Sequence, residues 1–420
     1  MEVQFDKARP GDYDEVIDLG NYVFSHAHRP HDFPAMLPKI YRREYFMDGI
    51  HYLAREDGKI KAMVGAYPME WEFSGQTPLT LPGRGIGMVS VHPYSRSRGY
   101  MKELMKAALD DMRRDGIVFS CLSGRRQRYE HFGFSPAGSA YTFTCSADNI
   151  RHTLGAQGNV RLIRGQRPHS GQQSSGALPL SLKPVGPGDE ALLDQIHALH
   201  ESGPARFKRR RDRLYDILSS WKNRILAVNA GEHFEGYLIY GMKGTEYEIT
   251  EINLLDLSIL PEVLDLFLCN EKTAGIQDSV KVTVSAFESK KIAALSRFAE
   301  SYIQNPAYQF AVFDYLRFVE PFLKLRARER NLAEGSFVFR IEGGPRLRLS
   351  VERGGASITE ITDSASAQTA APETLELGRL DALHFLFSPL AAHNFPAIGE
   401  SVFLQSLLPL PLSFEKTDGI

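Results

Sequence analysis

The run Gly87-Met88-Val89-Ser90-Val91-His92-Pro93-Tyr94-Ser95-Arg96-Ser97-Arg98-Gly99-Tyr100-Met101 holds a strand end, a turn and a helix start. Ile86–Val91 reads as a strand, and Pro93, which has no N–H to give a ladder, ends it. The loop Tyr94–Gly99 is short and basic and closes on a glycine. A helix follows, with Met101, Leu104, Met105, Ala108, Leu109 and Met112 on one face at three- and four-residue spacing. Gly116 stops it after Arg113-Arg114, cations suited to a helix C-terminus. A strand, a glycine loop and a helix N-terminus together form an anion site, because free N–H groups and the helix dipole converge on the loop. Arg96 and Arg98 add charge that suits phosphate. The expected ligand is a phosphate or pyrophosphate. The glycines are too few for a Walker loop or a dinucleotide fingerprint. Taken alone, the run also fits an ordinary surface loop before a helix.

Working outward, residues 1–150 form a first block. Strand Val3–Ala8 and helix Asp12–Phe24 open it. A hairpin over His51–Phe73 turns at Asp57-Gly58, and strand Ile117–Leu122 follows the helix. Residues 151–178 read as a linker, since Gly165–Gly176 is polar, glycine-rich and without apolar period. The second block, 179–310, places helix Pro187–Ser202 before strands Ile225–Val228, Phe234–Tyr240 and Glu246–Leu255. Helix Pro261–Asn270, strand Ser279–Ala286 and helix Ser289–Phe298 complete it. That order echoes the first block and suggests an internal duplication. The third block, 311–420, has helix Asp314–Leu325 and strands Gly335–Glu342, Arg346–Glu352 and Ala356–Ile361. The fold class read from this order is α/β followed by α+β.

The 420 residues exceed one ordinary core. A net charge of −2 gives no global pull toward nucleic acid or an anionic membrane. No apolar run is long enough to span a bilayer, and the N-terminus carries no export signal. Cys121, Cys145 and Cys269 are widely separated, against a disulfide framework or a thiolate zinc site. A reducing cytoplasm is the expected location.

Two stretches together carry a family resemblance. Val89-x-Val91-x-Pro93-x-x-Arg96-x-Arg98-Gly99-Tyr100-Met101 resembles motif A of the GCN5-related N-acetyltransferases (GNAT). Met101 stands in the last small position, a form seen in the enhanced intracellular survival (Eis) family. Tyr129-Glu130-His131-Phe132-Gly133-Phe134-Ser135-Pro136 resembles that family's Tyr-x-x-Phe-Gly-Tyr/Phe-x-Pro element. The resemblance implies tandem GNAT folds, each a mixed central sheet flanked by helices, and a C-terminal domain similar to sterol carrier proteins. It implies acetyl-coenzyme A as cosubstrate, no metal, a primary amine as acceptor (aminoglycoside-like, lysine or small amine) and a homo-oligomer, a hexamer in the family. By that resemblance Val89, Ser90 and Val91 pair with the pantetheine arm. Arg96, Ser97, Arg98, Gly99, Tyr100, Met101 and Lys102 hold the pyrophosphate, and Gly124 and Arg125 border the cofactor. Tyr129 takes the place of the family's general acid; the plainer alternative is a packing tyrosine on a loop. The family's base is the chain's terminal carboxylate, here that of Ile420. Because family tails end in an aromatic residue and this one ends Glu415-Lys416-Thr417-Asp418-Gly419-Ile420, a frayed tail stands beside that reading.

Three weaker features remain. Ser25-His26-Ala27-His28-Arg29-Pro30-His31-Asp32 matches no metal spacing. It lies where such proteins line the acceptor pocket, so His28 and Asp32 are candidate substrate contacts. Phe207-Lys208-Arg209-Arg210-Arg211-Asp212-Arg213 lacks interleaved aromatics and reads as a solvated helix face or a contact to an acidic partner rather than a nucleic-acid site. Tyr315, Phe318, Val319 and Phe322 share a helix face, which is ordinary core before it is a lipid pocket. Two functions of another kind stay open: a lipid or sterol carrier acting through the third block, and an acetyl-coenzyme A sensor without turnover.

Overall fold

The computed structural model of the chain describes residues 2–75, 77–156, 178–272, 278–361 and 374–420. The linker read over 151–178 thus falls mostly outside the described residues, and its first part is the end of a helix, Ala147–Ala156.

The first sheet begins with β1 (Val3–Lys7), β2 (His51–Glu56), β3 (Lys59–Phe73), β4 (Leu79–Val91) and β5 (Phe119–Leu122), each beside the next. β1 to β4 run antiparallel, and β4 and β5 run parallel. The parallel step needs a crossover, which the helix Tyr100–Arg114 supplies. Its buried face, Leu104, Met105, Ala108, Leu109 and Met112, is the one the periodicity marked, and it packs with Ala62, Val64 and Ile86 of β3 and β4. On the opposite face lies α1 (Tyr13–Ala27), with Val16, Ile17 and Val23 buried against Met63, Tyr67 and Met88. Against that numbering Tyr100–Arg114 is α2.

After β5 the chain does not close its own sheet. β6 (Ser135–Ala137) lies at the sheet edge, but β7 (Ala140–Ser146) leaves for a second sheet. That sheet is built from β8 (Leu180–Pro184), β10 (Arg224–Ala230), β11 (His233–Lys243), β12 (Glu246–Leu254) and β13 (Ser279–Ser285), with β14 (Ser301–Asn305) at its edge. The short β9 (Ala205–Phe207) pairs instead with β3. β15 (Tyr308–Val312) returns to the first sheet and slots between β5 and β6, while β7 slots between β13 and β14. Position by position the two sheets repeat one set of strand directions, including the single parallel step, β12 with β13. Each sheet borrows its penultimate strand from the other half. The blocks read as 1–150 and 179–310 therefore differ from the sheets at these strands: Ala140–Ser146 sits in the second sheet and Tyr308–Val312 in the first. Neither strand was placed by the sequence reading, because its partners are remote in the chain.

A four-stranded sheet, β16 (Gly335–Ile341), β17 (Arg346–Glu352), β18 (Gly355–Glu360) and β19 (Leu375–Leu377), forms the remainder with several short helices. Helix Tyr315–Glu329 joins it to the first sheet. Tyr315, Phe318, Val319 and Phe322 are all buried, and Phe318 and Phe322 pack with Trp71, Phe119 and Phe387, so this face is core. Among the described residues no helix is long and apolar enough to cross a membrane.

The basic run at Phe207–Arg213 is not a solvated helix face. Arg209 is only 3 % exposed. It donates two hydrogen bonds to Glu251 at 2.9 and 2.8 Å, two to Asp418 at 2.9 Å each, and one to Glu415 at 3.1 Å. Lys208 pairs with Glu70, Arg211 with Glu190 and Asp194, and the Arg213 guanidinium lies over the Tyr45 ring. The charge that reads as an interaction patch is consumed inside the chain.

Candidate active site

The site grows from the end of β4. Parallel pairing with β5 covers only Gly83–Ile86. Beyond it a bulge interrupts β4: the register shifts between Met63 and Gly65, and Met88 takes a positive φ of 50°. Bulges bend and twist a strand, and here Gly87–Val91 continues without β5 alongside. Val89 and Val91 line the resulting cleft, whereas Ser90 alternates to the other face, where it is buried. A strand with one free edge can accept an extended ligand in place of a neighbour.

Below that edge is the glycine loop. Gly99 caps α2 with φ 82°, and Ser97 also has a positive φ of 63°. Gly99 is required there because a side chain is disfavoured in the left-handed region. The first-turn N–H groups of a helix have no intrahelical acceptor, so this corner offers them to an anion. Ser97, Gly99, Tyr100, Met101 and Lys102 line a cleft of about 300 Å³ together with Arg96. Arg98 lines the same cleft and is also tied to the sheet. Its guanidinium bonds Glu56 at 2.8 Å, and the Tyr100 hydroxyl bonds the same carboxylate oxygen at 2.7 Å. The Arg98 side chain thus anchors the loop to β2.

The cleft continues past Val91, Arg96 and Met101 into a space of about 420 Å³ that also meets Arg125, Arg128, Tyr129 and α1 at Val23, Phe24 and His28. Tyr129 is the last residue of a helical turn, Arg126–Tyr129, and is 7 % exposed. Burial pushes its phenol above the ordinary range, partly offset by the Arg128 cation. The phenol therefore stays protonated at neutral pH and can donate. Its ring lies against Gly124, where an added Cβ would come within 2.8 Å of it. Gly124→Ala is expected to push Tyr129 out of place and lower turnover; unchanged steady-state rates in that variant would show that the ring position does not matter.

The tail is docked, not frayed. Leu410, Leu412, Ser413, Phe414, Thr417 and Asp418 are buried. Phe414 stacks on Tyr308 at 4.2 Å, Asp418 is held by Arg209, and Lys39 donates to the Thr417 carbonyl at 2.7 Å. Ile420 lies over Gly85, where any Cβ would meet its side chain. The Tyr308 hydroxyl bonds Ser123, just past β5, and donates to the main-chain oxygen of Ile420 at 3.4 Å. The next residue, Gln309, donates to the Gly124 carbonyl at 2.7 Å. Tyr308 and Gln309 thus tie Ile420, which lies over the β5-paired part of β4, to the Gly124 loop beneath Tyr129.

A third space, of about 780 Å³, shares Phe24 and His28 with the second and reaches the second sheet at Trp221, Arg224, Tyr240 and Met242. His28 thus lines both spaces. Asp32 does not line any of these clefts. Its carboxylate caps a short helix by accepting from the Ala35 N–H at 3.2 Å. The second-sheet wall was missed because nothing in its local sequence marks it; the exposed Trp221 was its one available signal. Among the described residues, the one grouping with metal-ligand character is His200, Glu251 and Glu415, and Arg209 is bonded to both of its carboxylates.

A parallel strand pair that parts above a glycine loop and a helix N-terminus suits an extended ligand that carries an anion. Residues 4–137 match the acetyltransferase (GNAT) domain family, and by that domain the chain is an N-acetyltransferase-type enzyme. No curated protein matches the chain. Among solved structures it is similar to a protein from Enterococcus faecalis V583 described as "Probable N-Acyltransferase", at 17 % identity and TM-score 0.63 over 98 % of each chain. It is also similar to a GCN5-related N-acetyltransferase from Kribbella flavida, at 15 % identity and TM-score 0.60 over 100 % of this chain and 98 % of that one. Eis1 from Mycobacterium abscessus aligns at 11 % identity and TM-score 0.56 over 99 % of this chain and 98 % of that one. At such identities the likeness is one of fold.

Proposed function

We propose that the protein transfers an acetyl group from acetyl-coenzyme A to a primary amine, with Tyr129 as general acid and the terminal carboxylate of Ile420 as base. The observation that supports this is the continuous cleft that joins the free β4 edge, the Gly99 loop and Tyr129, with Ile420 docked over Gly85 of the same strand. The chain-long likeness to Eis1 supports an Eis-like arrangement, in which the repeated second sheet is a degenerate GNAT domain and the part from about residue 311 is the sterol carrier protein-like domain.

The residues fit the cosubstrate. Backbone groups of Val89 and Val91 would hold an extended pantetheine arm. The first-turn N–H groups after Gly99 would hold its pyrophosphate, and Arg96, Arg125 and Arg128 supply nearby cations. Bound acetyl-coenzyme A supplies an activated acyl carbon and a thiolate leaving group. A free amine is mostly protonated at neutral pH, so the Ile420 carboxylate first takes that proton, frees the lone pair for attack and passes the proton to solvent. The N–C bond forms, the C–S bond breaks as the Tyr129 hydroxyl protonates the departing sulfur, and the second proton lost by the acylated nitrogen restores the phenol. An N–H at the end of β4 stabilises the negative charge that gathers on the acyl oxygen.

A thiol-release assay over a panel of amines tests the reading. Amine-dependent release is expected; binding of acetyl-coenzyme A with no release for any amine would turn the site into a sensor. Removing Gly419 and Ile420 is expected to lower kcat and to shift the acid limb of the pH–rate profile. Wild-type rates after the deletion would take the tail out of the chemistry.

A further inference from the structure

The cleft of about 780 Å³ that opens from His28 toward the second sheet has an uncommon lining. Among the described residues that face it, none is Asp or Glu. Its polar rim instead includes Arg29, Lys222 and Arg224. The side chains of Arg29 and Lys222 are exposed, and neither forms an ion pair among the described residues. Trp221 provides a broad apolar wall and is 42 % exposed, whereas the other tryptophan, Trp71, is 1 % exposed.

Trp221 and Lys222 share a further property. Both are non-glycine residues at positive φ, 62° and 60°. Two such residues in succession are strained, and strain of this kind is kept where the surroundings over-determine a functional geometry. The strained turn holds the indole against the cleft and beside the tail, with its Nε1–H 3.5 Å from the Gly419 carbonyl.

We propose, resting on the acyl-transfer reading above, that the acceptor is an amine that also bears a carboxylate and an aromatic or apolar body. The carboxylate is met by Arg29 and Lys222, and the body lies on Trp221. A polycationic acceptor of the aminoglycoside kind would face like charge on this wall with no carboxylate to receive it. The same cations assist the chemistry, because nearby positive charge favours the neutral form of an amine and so lowers its pKa toward the nucleophilic state.

A matched panel tests this. Thiol release is measured with phenylalanine, with 2-phenylethylamine, which lacks the carboxylate, and with spermine. The expected kcat/KM for phenylalanine exceeds that for 2-phenylethylamine by about tenfold or more, equivalent to about 1.4 kcal/mol. In the double variant Arg29→Met, Lys222→Met that ratio is expected to fall toward one. A wild-type ratio at or below one, or faster turnover of spermine, overturns the proposal. A second readout does not need turnover. Saturable quenching of Trp221 fluorescence by 3-phenylpropionate, weaker with 2-phenylethylamine and absent in Trp221→Phe, is expected. Such quenching without thiol release from any amine would sink the acyl-transfer reading and leave the ligand class standing. Equal quenching by the two probes, or none by the carboxylate, overturns the ligand class itself.

Discussion

Arg209→Met is expected to destabilise the protein by about 3–5 kcal/mol, because removing one partner from a buried ion cluster leaves uncompensated charge. Three carboxylates surround this guanidinium: Glu251, Glu415 and Asp418. They are not equivalent. Burial alone would raise Glu251, but the Arg209 charge and hydrogen bonds outweigh it and hold the carboxyl at about 2, with the Tyr237 hydroxyl donating at 2.5 Å. Glu415 goes the other way. Its burial, and the Glu251 charge beside it, push it well above the ordinary value despite Arg209. The Arg209 charge thus lowers Glu251, whereas burial and the Glu251 charge raise Glu415 toward its neutral form. Glu415→Gln is therefore expected to cost far less than Arg209→Met. Urea-unfolding midpoints of the two variants check the contrast, and equal losses would contradict it.

The cluster also sets a pH window. The Glu251 value is depressed in the folded state, so its stabilisation is present above its ordinary value of 4.5 and is lost as pH falls toward about 2. The raised Glu415 value acts with opposite sign. Its stabilisation is fully present below 4.5 and is lost as pH rises through its folded value. Replacing Glu415 with Gln removes the second dependence and should flatten stability on the alkaline side.

Tyr129→Phe is expected to lower kcat by about 10²–10⁴-fold, the usual range for loss of a general acid. Cosubstrate affinity should change little, since the aromatic ring that packs on Gly124 and lies at 6.4 Å from Phe134 is retained. Burst or single-turnover measurements separate chemistry from binding. If kcat holds while KM rises, Tyr129 positions the ligand and another group supplies the proton.

Local chemistry made much of the first half legible. Asp57-Gly58 marks its hairpin, Pro93 ends a strand, and Gly99 starts a helix whose buried face follows a 3.6-residue period. These signals are local, and so are the features they specify. What escaped the sequence is settled by pairing over long separations. Ala140–Ser146 lies within the first block of sequence, yet its hydrogen-bond partners are residues 279–285 and 301–305. Arg209 looks solvated because the acids that bury it are Glu251, Glu415 and Asp418. The wall of the third cleft is built from Trp221 and from residues of the second sheet, whose own sequence carries no acyltransferase motif. The glycine loop was thus written in one short run, whereas the remaining cleft walls had to be assembled by the fold.

The strand exchange constrains how the molecule can come into being. On a ribosome the first sheet has β1 to β6 soon after residue 137 emerges, but the place beside β5 stays vacant until residues 308–312 follow. That late strand brings Tyr308 to the Ile420 oxygen and Gln309 to the Gly124 carbonyl. A nascent chain released early, or a fragment cut at the linker, would expose the unpaired edge of β5 and lack the strand that fixes the Gly124 loop beneath Tyr129. Assembly of the first sheet is therefore coupled to synthesis of residues 308–312, so a product truncated before them carries the acetyltransferase motif without the complete sheet.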